Sequence, residues 1–95
     1  MPIKVEFETP QKLNGSMVSE LELHFEEFDG DTIKDLETTF RAQFREFIMP
    51  ILDFDIRYQE WVAGRAAHVN PADLGKMDAK SYKGVCTAVR NFLMS

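Results

Sequence analysis

The chain has 95 residues, of which 44% are apolar, with eight phenylalanines and a net charge of −5. That describes one small domain with enough apolar side chains for a core, and it excludes a disordered chain. The single cysteine, Cys86, excludes an internal disulfide framework and a cysteine-based zinc site.

The charge is uneven. Residues 1–31 carry −6 and residues 32–95 carry +1. An acidic N-terminal third argues against nucleic acid as a partner, because binding phosphates by counterion release needs clustered Lys and Arg. It permits a basic protein partner, or simply solvates the outer face of a sheet. No apolar run approaches the ~18 residues of a membrane span, and Met-Pro-Ile-Lys-Val-Glu lacks a signal-peptide pattern. A soluble, cytoplasmic protein with no membrane partner is therefore expected.

In chain order, Ile3-Lys4-Val5-Glu6-Phe7-Glu8 alternates apolar and charged residues, which sends Ile3, Val5 and Phe7 to one face of a strand. Thr9-Pro10 is expected to stop that strand, since proline cannot donate to a ladder. Asn14-Gly15 offers the positive φ of a tight turn. Glu20 to Glu26 alternates again, with Leu21, Leu23 and Phe25 inward. The pair reads as a β-hairpin whose outer face carries Lys4, Glu6, Glu8, Glu20, Glu22, His24 and Glu26. A lone hairpin is marginal, so helices must cover its apolar face.

Asp29-Gly30-Asp31-Thr32 leads into a helix, capped by a Thr32/Asp35 box or alternatively by Asp31. Ile33, Leu36, Phe40, Phe44, Phe47 and Ile48 form its stripe, and Pro50 ends it. Ile51 to Asp55 is an apolar connection expected to pack under the helices. Asp53 or Asp55 caps a second helix through about His68, with Tyr58, Trp61, Val62, Ala66 and Val69 inward. Gly64 and its alanines suit close approach to a neighbouring helix. Asn70-Pro71 starts a short helical turn that Gly75 ends. Asp78 then caps a last helix whose stripe is Tyr82, Val85, Cys86, Val89, Phe92 and Leu93.

The expected fold is α+β, a single domain over 1–95. An N-terminal antiparallel β-hairpin (1–28) packs on a helical part (31–94) of about three main α-helices plus a short helical turn. Phe40, Phe44, Val85, Val89 and Phe92 should govern its stability.

Templates for catalysis do not fit. A hydrolytic triad needs a base beside a nucleophile, and the two histidines fall on a polar strand face (His24) and at a helix end (His68). There is no glycine-rich phosphate loop, no His-x-x-x-His or Cys-x-x-Cys spacing and no calcium-loop pattern. The expectation is a non-enzymatic binding protein, with no metal and no cofactor. Exposure selects Glu20, Glu22 and His24 on the outer strand, with Asn91 and Met94 at the end of the last helix, as the partner-binding residues.

Taken together, Val5-Glu6-Phe7-Glu8-Thr9-Pro10, Asn14-Gly15, Glu20-Leu21-Glu22-Leu23, Gly30-Asp31 and Leu36-Glu37 follow one another in a familiar order. Leu74, Asp78, Tyr82, Val85, Val89, Phe92 and Leu93 supply the ending. In this order of pieces and in length the chain resembles the small tail assembly chaperones of contractile-tailed phages and prophages. It departs from them at His24-Phe25-Glu26-Glu27, where Arg-x-Pro is common, and in its aromatic middle. The resemblance implies a protein that binds tape-measure and tail-tube proteins before assembly, works in the host-cell cytoplasm and is absent from the finished virion. It also implies that a longer, frameshifted product can accompany it. The reading from a different class is an acidic mimic of nucleic acid, its hairpin glutamates imitating phosphates to inhibit a nucleic-acid-handling protein. Open strand edges allow self-association under either reading.

Overall fold

The computed structural model describes residues 2–46 and 51–95. Among these residues it is an α+β arrangement: a two-stranded antiparallel sheet followed by four α-helices. Strand β1 spans Ile3–Leu13 and β2 spans Ser16–Leu23. They meet at Asn14 (φ 52°) and Gly15 (φ 79°), the two consecutive positive angles that match a hairpin turn to the twist of its strands.

Thr9-Pro10 does not stop β1. Glu6 pairs with Glu20 and Gln11 with Val18, so the four residues Phe7–Pro10 face Ser19 alone. A bulge leaves backbone groups outside the ladder, so the missing proline N–H removes no bond. Phe7, Leu13, Leu21 and Leu23 are buried, whereas Ile3 at the sheet's end is 43% exposed.

The second strand also ends earlier than its alternation suggests. Ile3 pairs with Leu23 at the end of the ladder. The His24 N–H turns away and donates to the Ala66 carbonyl (2.9 Å). Phe25–Glu27 then forms a 3-10 turn that keeps Phe25 buried. His24 and Glu26 therefore do not continue the outer strand face.

Helix α1 spans Gly30–Gln43 and is capped by Asp29, not by Thr32/Asp35 or Asp31. Asp29 Oδ1 accepts from the Thr32 N–H (2.8 Å) and from its hydroxyl (3.0 Å). The helix stops short of Pro50 because Phe44 leaves helical dihedrals (φ −119°, ψ 59°). That departure leaves the Phe44 ring 4.7 Å from Phe40 and 5.9 Å from Trp61. The expected stripe positions Phe47 and Ile48, and the Pro50 stop itself, lie outside the described residues.

Helix α2 spans Ile56–Ala67 and is capped by Asp55, which accepts from the Arg57 and Tyr58 N–H groups. In the connection before it Leu52 and Asp55 are buried, while Ile51 and Phe54 face solvent. Helix α3 is the single turn Pro71–Leu74, capped by Asn70. Helix α4 spans Ala79–Leu93, capped by Asp78.

Helix α2 is the hub: it touches β2, α1, α3 and α4. Its Tyr58, Val62, Ala63 and Ala66 are fully buried, and Gly64 lets Pro71 approach closely. Val85 and Val89 of α4 and Phe40 of α1 complete the centre of the core. Phe44 and Phe92 are only partly buried and border it.

Candidate functional site

The hairpin's outer face is polar and open. Lys4, Glu6, Glu8, Glu20 and Glu22 are all exposed. Glu6 and Glu20 sit directly opposite one another, and Lys4 lies opposite Glu22. Lys4 Nζ is 3.6 Å from Glu20 Oε2, and Lys80 of α4 reaches Glu8 Oε1 at 2.6 Å. Neither strand has a second strand neighbour among the described residues.

Glu20, Glu22 and His24 line one shallow groove of about 300 Å3 with Leu13, Val18, Ala67 and Val69. Asn91 and Met94 are exposed at the end of α4 but do not line it. The two halves of the expected surface are linked indirectly. Phe92, beside Asn91, stacks on Phe25, beside His24, with ring centroids 4.1 Å apart and planes 3° from parallel.

What spacing could not supply is the company His24 keeps. His24 Nδ1 lies 2.9 Å from Glu26 Oε2, and His68 Nε2 lies 3.0 Å from Glu27 Oε1. The two imidazoles are 5.8 Å apart between centroids. Desolvation pulls the Glu26 carboxyl upward, but its hydrogen bonds to His24 and to backbone, with the His24 charge, hold it below the ordinary glutamate value. His68 enters because it caps α2 in the left-handed conformation (φ 60°). Some 44 residues separate the histidines in sequence, so no local motif could join them; the one signal was that the chain has just two.

A second tie fixes the hairpin to α4. The buried Gln11 side chain donates to Asp78 Oδ2 (2.8 Å) and accepts from the Asp78 N–H (3.0 Å). Asp78 in turn caps α4 through the Ser81 N–H, and that bond leads the contacts that hold its carboxyl below the ordinary value.

Cys86 behaves as a core residue. Burial pushes its thiol up to about 11, against the pull of a hydrogen bond with Tyr82, so it is a poor nucleophile at neutral pH. No helix among the described residues is long and apolar enough to cross a membrane. Comparison with protein-family models, curated proteins and solved structures finds no match.

Proposed function

We propose that this chain is a non-catalytic tail assembly chaperone of a contractile-tailed phage or prophage. It binds tape-measure or tail-tube protein in the host cytoplasm before assembly and leaves before the virion is complete. The observation that carries the reading is the hairpin. It is a two-stranded sheet without a third strand among the described residues, its outer face acidic and its inner face anchored on helices. A strand edge of that kind offers main-chain hydrogen bonds to an extended segment of another chain, and the adjacent side chains select it. Glu20 and Glu22 on β2 and the groove they share with His24 are the selecting groups. The resemblance of the sequence, piece by piece from hairpin to capped last helix, is the other support for this reading.

The acidic-mimic reading is weaker on the same face. Lys4 and Lys80 sit among the glutamates and pair with Glu20 and Glu8, which interrupts the row of negative charge a phosphate mimic needs.

A pull-down at moderate salt tests the proposal, with tape-measure and tail-tube proteins of contractile-tailed phages as prey. The chain should retain at least one of them, and the Glu20→Lys/Glu22→Lys variant should retain much less at unchanged thermal stability. Failure of the unmodified chain to retain tape-measure or tail-tube protein overturns the reading.

A further inference from the structure

The geometry points to a divalent metal site of the zinc class formed by His24, Glu26, Glu27 and His68. One ligand atom each from His24, Glu26 and Glu27 lies within 4.8 Å of the others. His68 lies outside that cluster, with Nε2 3.0 Å from Glu27 Oε1; its side chain, 63% exposed, would swing in as the fourth ligand. Zinc bonded to nitrogen or oxygen at about 2.0–2.1 Å in a tetrahedron places neighbouring ligand atoms roughly 3.3 Å apart. Each His–Glu contact, 2.9 and 3.0 Å, is close to that spacing, and the two pairs must draw together to share one ion. Two imidazoles on one such ion have centroids about 5–6 Å apart, and here they are 5.8 Å apart.

The four side chains also sit on backbone that is already held. His24 is tied to the end of α2 by its N–H bond to Ala66, and Glu27 N–H returns to the His24 carbonyl (3.2 Å). Phe25, between them, is pinned by its stack on Phe92. His68 is fixed as the left-handed cap of the same helix that receives the His24 bond.

Two neutral imidazoles and two carboxylates would leave the bound ion electrically balanced. The nitrogen donors favour Zn2+, Co2+, Ni2+ or Cu2+ over Ca2+ and Mg2+, which prefer oxygen alone. Because the ligands come from the exit of β2 and the end of α2, the ion would clamp hairpin to helices and bind the folded state only. The expectation of a metal-free protein came from spacing within the sequence, and this site is assembled by the fold.

The test uses the full chain stripped with a chelator, then titrated with Zn2+ in competition with a chromogenic chelator. Zn2+ should bind one per chain and raise the melting temperature, EDTA should reverse the rise, and Ca2+ and Mg2+ should produce none. Co2+ should give visible bands of four-coordinate intensity. His68→Asn keeps a residue that tolerates the left-handed cap and should weaken Zn2+ binding at least about tenfold, as should His24→Ala. Circular dichroism of the stripped His68→Asn variant checks that it folds. Absence of Zn2+ uptake, or uptake that survives in the His24→Ala/His68→Asn double variant, would overturn the assignment and leave two ordinary His–Glu surface pairs.

Discussion

Substituting alanine for glycine at two helical positions should change stability in opposite directions. A Cβ on Gly64 would lie 2.6 Å from Pro71 Cγ, 3.0 Å from Pro71 Cδ and 3.0 Å from the Val69 carbonyl oxygen. A proline ring and a backbone carbonyl cannot rotate aside, so α3 must move. Overpacking of this kind costs about 1–3 kcal/mol, while glycine to alanine inside a helix returns about 0.5–1 kcal/mol. The net for Gly64→Ala is a loss centred on about 1 kcal/mol, within a range of about 0–2.5 kcal/mol. At Gly84 in α4 the new methyl meets only Val5 Cγ1, at an ordinary 3.7 Å. There the helix term stands alone and Gly84→Ala gains about 0.5–1 kcal/mol. In a domain of this size each kcal/mol moves the melting temperature by about 4–8 °C. Urea titrations followed by circular dichroism would resolve both signs. A Gly64→Ala protein that gains stability as Gly84→Ala does would refute the close approach of α2 and α3.

Phe40→Ala should cost about 3–5 kcal/mol in urea denaturation, because the ring is fully buried against Phe44, Tyr58 and Trp61. A loss under about 1 kcal/mol would mean the core face of α1 is misassigned. The Tyr58 hydroxyl is buried with no hydrogen-bond partner among the described residues. Burial, reinforced by Glu37 and Asp53, raises its pKa. Tyr58→Phe should therefore be neutral or gain about 1 kcal/mol, and a clear loss would show the hydroxyl to be bonded. The caps Asp29 and Asp78 both have carboxyls held below the ordinary aspartate value, chiefly by N–H groups of the helices they cap. Their contribution is present above the unfolded value of about 4 and is lost as pH falls through the lower folded value. An Asp29→Asn/Asp78→Asn protein keeps side-chain caps and should lose less stability between about pH 5 and 2 than the unmodified chain; equal acid sensitivity would contradict this.

The helices were legible because their signals are local. Asn70 and Asp78 cap where their chemistry suggested, Asp55 is the one of the two candidates Asp53 and Asp55 that caps α2, and the stripes of α2 and α4 turn inward as spaced. Errors arose where tertiary partners decide. Pro10 reads as a stop until the bulge opposite Ser19 is seen. His24 reads as a strand residue until Ala66 takes its N–H. Thr32 resembles a cap, yet its own N–H and hydroxyl both point back to Asp29, one residue before the helix begins. Of the expected surface, Glu20 and Glu22 stand exposed as read, and with His24 they line one groove. Nothing in the spacing could place His68 beside Glu27, or Gln11 beside Asp78, since each pairing spans the domain.

Co-expression with a tape-measure protein of a contractile-tailed phage tests the chaperone reading most directly, through the fraction of that protein that stays in solution after lysis. The account predicts that a larger fraction of tape-measure protein stays in the supernatant with this chain than without it, and that the gain is lost with the Glu20→Lys/Glu22→Lys variant. Tape-measure protein that partitions identically with and without this chain would contradict it.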